Sequence, residues 1–279
     1  MEIVEVNQSP VYLVTFGSGK TWYPAVQRLK HQAIRSKRFG KIFLYDENDL
    51  NFNLTENDFD FYKSNPRGYG MWIWKPLIIR SMLREYPDCE IVLYLDSGCE
   101  INSSKKALEK LDSYIATVRQ DGGLAFELPF VEENWTSDFV IDDMKARDLA
   151  LTRQLAGGIF FIKNSVPYHS FLNSWVTWMK KDNFKYLTGS MLNSSSNHTF
   201  YEHRFDQSIF SILWKKSRFP ILPDESFWAP NWSINGKDYP IWSTRNKLRF
   251  SFASNRFFLF LYRVLRISFI TATRGKIVI

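Results

Sequence analysis

Apolar runs of strand length alternate with segments of helical period along the first two-thirds of the chain. Val11–Phe16 is a continuous strand-type run closed by Gly17-Ser18-Gly19, and Val26, Leu29, Ala33 and Ile34 recur at helical spacing after it. Lys41–Tyr45, bounded by Gly40 and Asp46, predicts the next strand. Strand–helix–strand alternation is the mark of a parallel βαβ unit. An Asn- and Asp-rich stretch over 46–60 predicts a loop that leads to a turn at Gly68-Tyr69-Gly70. Pro76 opens a predicted helix through Leu77, Ile78, Met82 and Leu83, and Ile91–Leu95 is the most apolar strand of the first half. Residues 105–119 predict an amphipathic helix, 123–126 a strand, 157–162 a strand led by a glycine pair, and 168–181 and 206–216 helices. Residues 219–242, rich in Pro, Trp and Asn, predict an irregular packed segment. No internal repeat is visible. The reading is α/β: one domain of catalytic size over 1–243, with a mixed, mostly parallel sheet, and a tail over 244–279.

Composition changes this picture in three places. At 45% hydrophobic and 23% charged residues the chain builds a sizeable core, which excludes a disordered or collagen-like chain. Aromatic residues at 17% suit either platforms for rings or a plain core, and composition alone favours the core. Cys89 and Cys99, the only two cysteines, cannot by themselves make a disulfide framework or a four-ligand zinc site.

The formal charge of +7 suggests nucleic acid until it is located. After Asp238 there is no acidic residue, while Arg245, Lys247, Arg249, Arg256, Arg263, Arg266, Arg274 and Lys276 are all basic, so residues 1–244 are nearly neutral. A basic, aromatic tail on a neutral body fits an anionic membrane surface through 245–279 rather than nucleic acid. The apolar stretch 257–270 is interrupted by arginines and falls short of the ~20 apolar residues of a spanning helix. Arg256, Arg263 and Arg266 share one helical stripe, which predicts a helix lying in the headgroup region, the alternative being a terminal helix packed on the body. The acidic opening Met1-Glu2-Ile3-Val4-Glu5 does not read as a secretory signal. The expected location is cytoplasmic, peripheral on the inner face of the cytoplasmic membrane.

Three motifs carry candidate chemistry. In Leu93-Tyr94-Leu95-Asp96-Ser97-Gly98-Cys99 a carboxylate sits just past a buried strand, where α/β sheets bind ligands. Asp96 there suits a divalent metal on a diphosphate or a ribose hydroxyl, and equally a cap on the following turn. In Arg67-Gly68-Tyr69-Gly70-Met71-Trp72-Ile73-Trp74-Lys75-Pro76 the glycines admit close backbone approach, and Lys75 before a helix start suits a phosphate, as does Arg67. Trp72 and Trp74, which would face the same way if extended, read as core. In Glu202-His203-Arg204-Phe205-Asp206-Gln207-Ser208 four chemically useful side chains gather at the head of a helix, although Asp206 would also serve as a plain N-cap. Weaker signals are Gln154-Leu155-Ala156-Gly157-Gly158, where the glycine pair would admit a sugar, and Asn134-Trp135-Thr136-Ser137-Asp138, where Asp138 would bond hydroxyls. His31, His169 and His198 have no supporting cluster. The phosphate-loop, dinucleotide, serine-hydrolase and zinc-protease signatures are absent from the sequence.

In this order the motifs at 68–76, 93–99 and 203–208 resemble the GT-A class of nucleotide-sugar-dependent glycosyltransferases, a Rossmann-like fold, and within it a bacterial surface-polysaccharide group (O-antigen, lipopolysaccharide, capsule). The resemblance covers roughly residues 10–220, with a looser likeness to glycogenin-like retaining transferases. It implies transfer of a hexose, galactose by family association, from a UDP-sugar to a glycan or lipid-linked glycan acceptor. Carried over, Thr15, Phe16 and Gly17 would line the nucleotide pocket with Arg67, Gly68, Tyr69, Lys75, Asp96, Ser97 and Gly98. Gln154, Gly157, Gly158 and Trp135 would border the donor sugar. Asp206 and Gln207 would stand beside the reacting carbon, with Asp138 or Asp206 the general base if the enzyme inverts. Gly98 departs from the pattern, because it replaces the second Asp of Asp-x-Asp. Either Asp96 and His203 share a divalent ion, Mn or Mg, with the diphosphate, or Lys75 and Arg204 neutralise the leaving group instead, with His203 and Arg204 as the diphosphate contacts. A non-catalytic carbohydrate-binding or scaffold protein on a degenerate version of the fold is the alternative.

Overall fold

The computed structural model describes residues 1–52, 55–193, 197–228 and 232–251, together with 261, 264 and 265. Strand β1 (Glu2–Glu5) precedes β2 (Val11–Phe16), helix α1 (Gly19–Ser36) and β3 (Lys41–Tyr45). Helices α2 (Glu56–Ser64), α3 (Gly68–Met71) and α4 (Trp74–Glu85) lead to β4 (Ile91–Leu95) and β5 (Glu100–Ile101). Helix α5 (Lys105–Asp121) is followed by β6 (Gly123–Val131), the short helices α6 (Glu132–Trp135) and α7 (Asp138–Asp143), and β7 (Arg153–Lys163). Helices α8 (Val166–Thr188) and α9 (Phe205–Lys216) precede β8 (Ile221–Leu222), α10 (Trp232–Asn235) and β9 (Ile241–Trp242).

Seven strands form one sheet in the order β1-β3-β2-β4-β7-β6-β8, while β5 pairs with β9 in a separate ribbon. Five of the seven run one way, and β1 and β7 run against them. Side-chain alternation divides the core into two layers. Tyr12, Val14, Phe16, Val92 and Tyr94 pack towards α4, α8 and α9, whereas Leu13, Ile91, Leu93 and Leu95 pack towards α1 and α5. Most of the aromatic surplus lies in the first layer. The Phe160 ring stands 5.1 Å from Tyr94, 4.9 Å from Phe210 and 5.9 Å from Trp175.

The sequence reading departs from the structure at several edges. Part of the expected loop over 46–60 is helical, because Thr55 and Asp58 form a reciprocal capping box that starts α2. Trp72 and Trp74 are not extended. Tyr69, Gly70, Met71 and Trp72 all have left-handed backbones (φ 52°, 77°, 53° and 62°), which coil the segment into the head of α4. The glycine pair of β7 lies inside the strand rather than before it. The body also continues beyond residue 243, as residues 244–251 are bonded to the turn after β4. The tail expected to contact a membrane lies, beyond 251, almost wholly outside the described residues. No helix among the described residues is long and apolar enough to cross a membrane.

Candidate active site

Chain reversal in the sheet fixes where a ligand can sit. From β2 the chain crosses to β3 on one side and later returns to β4 on the other, so the carboxyl ends of β2 and β4 flank a topological switch point. Phe16 and Gly17 end one strand, and Asp96 and Ser97 follow the other. A side chain at Gly17 would touch Val26 and lie 3.3 Å from Ser97 Oγ, so the two ends meet directly. Phe16 stacks on Trp74 at 3.9 Å and stands 6.2 Å from Tyr69. The Trp74 indole N–H donates to Gly68 O at 2.9 Å, so the glycine turn and its tryptophan form one wall. Thr15 Oγ1, fully buried, has no hydrogen-bond partner among the described residues.

At the centre lies Lys75, brought in by the first turn of α4 and only 2% exposed. Its Nζ donates to Asp206 Oδ2 and to Gly157 O, each at 2.8 Å, and stands 3.6 Å from Asp96 Oδ1. Tyr94 Oη donates to the same Asp96 oxygen at 2.8 Å. Asp206 is buried beneath Lys75, while the Asp96 side chain is 47% exposed at the mouth. Burial works against the Lys75 charge, but Asp206 and Asp96 outweigh it and hold the ammonium above the usual lysine range. Burial raises Asp206 to about 6 against the pull of Lys75, and burial beside Asp96 raises Tyr94 well above an ordinary phenol.

The glycine pair makes this convergence possible. A Cβ at Gly158 would lie 2.5 Å from Asp96 Oδ2, and one at Gly157 would lie 3.0 Å from Gln207 Cβ. β7 therefore lets the Asp96 carboxylate come against its backbone at one residue and the head of α9 at the next. Gln207 Nε2 donates to Gln154 Oε1 at 2.7 Å, and the Gln154 amide donates onward to Glu132 Oε1 at 3.1 Å. Glu132, fully buried, also accepts from Thr136 Oγ1 at 2.7 Å and from Ser211 Oγ and Lys215 Nζ at 2.6 Å each. Gln154 thus holds Gln207 in place, and the sequence reading missed the Glu132 hub behind it.

Several expected contacts lie elsewhere. His203 is buried, its Nδ1 accepting from the Ser137 N–H at 3.4 Å and its Nε2 facing Tyr186 O at 3.1 Å. Burial lowers it to about 4, and with both nitrogens turned to the backbone the neutral ring is structural rather than a ligand for metal or diphosphate. The Arg204 guanidinium lies 3.8 Å over the Trp135 ring and 3.4 Å from Glu202, which covers a face of that tryptophan that a sugar would need. Arg67 lies over Phe205 at 4.7 Å and 3.8 Å from Glu202. Asp138 pairs with Arg147 at 2.7 Å on the rim of α7 rather than with the Lys75 cluster. Gly98 is covered by residues 244–246, with Asn246 N donating to its carbonyl at 2.9 Å.

The raised Asp206 carboxyl makes stability depend on pH in a stated direction. The folded group keeps its proton to about pH 6, whereas the unfolded one releases it near 3.8. Its contribution is complete below that lower value and is lost as pH rises through 6, a fall on the order of 3 kcal/mol. Because His203, lowered to about 4, adds stability over the same range in both proteins, the stability of wild type relative to Asp206→Asn is the quantity expected to fall by this amount in urea unfolding from pH 4 to 7. Parallel curves would mean that Asp206 folds as an ordinary carboxylate.

The sheet order gives a mixed, mostly parallel α/β fold of the GT-A type, with the residues above gathered at its strand ends. No protein family matches the sequence, and no curated protein sequence does. Among solved structures the chain is similar to the apo bifunctional glycosyltransferase WbbM, with a TM-score of 0.53 and 11% identity over 92% of this chain. It spans 50% of the WbbM chain. Looser likenesses are to a glycosyltransferase involved in glycosylation of the major capsid of PBCV-1 (TM-score 0.47, 11% identity, 89% of this chain and 98% of that one) and to mouse xyloside xylosyltransferase 1 (TM-score 0.43, 11% identity, 84% and 97%). At this identity the likeness to WbbM shows the fold.

Proposed function

We propose that the protein is a glycosyltransferase that moves a hexose from a nucleoside-diphosphate sugar, UDP-galactose being the first candidate, to a hydroxyl of a glycan or lipid-linked glycan in surface-polysaccharide synthesis. The observation that carries this reading is the Asp96–Lys75–Asp206 cluster at the switch point. A buried ammonium there joins an exposed carboxylate at the mouth to a buried carboxylate at the head of α9. Tyr69, half-buried beside the buried Phe16–Trp74 stack, supplies the ring of this wall that a nucleobase can reach. Gln207, its amide nitrogen committed to Gln154, offers its Oε1 to the donor sugar.

In the retaining form of this reaction the acceptor oxygen bonds the anomeric carbon on the face the diphosphate leaves. The bond to the diphosphate breaks with its electron pair on the phosphate oxygen, and the acceptor proton passes to that oxygen. Asp206, fixed by Lys75, then orients donor and acceptor rather than acting as an exposed nucleophile. The basic, aromatic tail would bring the enzyme to an anionic membrane that holds a lipid-linked acceptor.

Nucleotide release from UDP-, GDP-, CMP- and dTDP-sugars tests the reading, with wild type and Asp206→Asn compared. Release from one donor, lost in the variant, is the expected result. Adding anionic vesicles, with and without residues 252–279, extends the assay to the tail. Binding without turnover under every condition would favour a non-catalytic carbohydrate-binding protein.

A further inference from the structure

Resting on the transferase reading, we propose that Arg245, on a strap whose backbone occupies the place of the carboxylate missing at position 98, supplies the positive charge that a divalent ion would bring to the leaving diphosphate.

The residues present do not fit a resident divalent ion. Asp96 is the only carboxylate on the turn after β4, and one of its oxygens already accepts from Tyr94. An aspartate at 98 would have no room, because a Cβ at Gly98 would stand 2.9 Å from Arg245 Cα. His203 spends both ring nitrogens on the backbone. Among the described residues no three His, Cys, Asp or Glu side chains gather to hold a metal.

What fills that space is held firmly. Arg28, buried in α1, donates from Nη2 to the carbonyls of Ser97 at 3.1 Å and of Cys99 and Asn246 at 3.0 Å, and from Nη1 to Leu248 O. Glu100, also buried, accepts from Thr244 Oγ1 at 2.9 Å, from Asn246 Nδ2 at 3.2 Å and from Ser251 Oγ. Two buried charges are thus committed to pinning a strap across the turn that follows Asp96.

Between the anchored Thr244 and Asn246, Arg245 is exposed and takes a left-handed backbone at φ 53°. A non-glycine residue in that region costs roughly 1–2 kcal/mol and persists where the surroundings over-determine it. The anchors on both sides do so here, and the strained residue is an exposed cation whose backbone lies against Gly98, two residues after Asp96. Lys247, next outward on the strap, lies 5.1 Å over the Trp22 ring, itself 3.3 Å from the Gly98 Cβ position. A guanidinium matches phosphate oxygens with two parallel hydrogen bonds. Placed where charge develops as the sugar–phosphate bond breaks, it stabilises the departing diphosphate with no metal in the step.

Calorimetric titration of the full chain with UDP, GDP and dTDP, each in EDTA and in Mn²⁺, tests this. The nucleotide that binds is repeated as its monophosphate and with Arg245→Gln, Arg245→Lys and Arg245→Gly, each checked for folding by circular dichroism. The glycine variant relieves the left-handed backbone and therefore separates charge loss from misfolding. Expected results are diphosphate affinity equal in EDTA and Mn²⁺ within about twofold, and weakened about tenfold or more by Gln and Gly. The lysine variant should fall between, and monophosphate affinity should hardly change. Strengthening by Mn²⁺ of tenfold or more, or a Gln variant that binds like wild type, overturns the proposal and leaves the transferase reading standing. If the wild type binds none of the three nucleotides, the nucleoside-diphosphate-sugar reading itself fails and this inference falls with it.

Discussion

Lys75→Met is expected to abolish sugar transfer, by at least about 10³-fold, and to destabilise the fold by about 3–5 kcal/mol near neutral pH. The substitution keeps the apolar stem but removes the ammonium that Asp206, Asp96 and Gly157 O all face. Asp206, already raised to about 6 with its partner present, must then bury its charge alone or take up a proton. The stability cost is therefore larger at pH 7 than at pH 5, where the carboxyl can be neutral. Adding Asp206→Asn to Lys75→Met should recover part of the stability and none of the activity. Urea unfolding at the two pH values, beside nucleotide release, reads both effects. A Lys75→Met protein with full stability at pH 7 would show that the buried ammonium does not compensate Asp206.

Glu132→Gln is the second large effect, and it acts at a distance from the substrate. Four donors converge on the two Glu132 oxygens, from Thr136, Gln154, Ser211 and Lys215. An amide offers one acceptor oxygen and turns an NH2 towards the rest, leaving the Lys215 side chain, 7% exposed, without its counter-charge. A loss of about 3–5 kcal/mol is expected. Because Gln154 bridges Glu132 and Gln207, transfer should slow by about 10–100-fold through misplacement of Gln207. Adding Lys215→Met should restore much of the stability without restoring the rate. If the rate returns with the stability, the hub serves the fold alone.

The contrast between these two positions shows what was legible in the chain before folding. Asp96, Lys75 and Asp206 each stand in a local pattern: a carboxylate after an apolar strand, a lysine before a helix-opening proline, and an acid at a helix head. Local pattern marks such residues without showing that they meet, and it also marked His203, whose neighbourhood of polar residues gave no sign that its ring points inward. The strands β2, β3 and β4 are unbroken apolar runs between turn residues, so their bounds were readable. β6 and β7 were read short. Register shifts between Ala125 and Glu127 and between Glu127 and Val131 interrupt the alternation in β6, and glycines that look like a loop lie within β7. Glu132 carries no signal of its own. Two of its partners do, because Ser211 and Lys215, in line with Ser208, place a polar stripe on the otherwise apolar helix α9, and such a stripe on a buried helix calls for a polar partner. The strap over Gly98 had no local signature, since the residues that pin it lie far away in sequence at Arg28 and Glu100.

That strap also sets an order of events during synthesis. Arg28 and Glu100 belong to parts of the chain made early; Ser97 and Cys99 meet Arg28 soon after, but its bonds to Asn246 and Leu248, and those of Glu100 to Thr244, Asn246 and Ser251, wait for residues 244–251. Until then a nascent chain that has paired β2 with β4 carries a guanidinium and a carboxylate beneath an unfinished surface, together with an open Asp-Ser-Gly turn. Completion of the crevice thus waits for residues 244–251, and a nascent chain halted before they emerge has a sheet without a finished site.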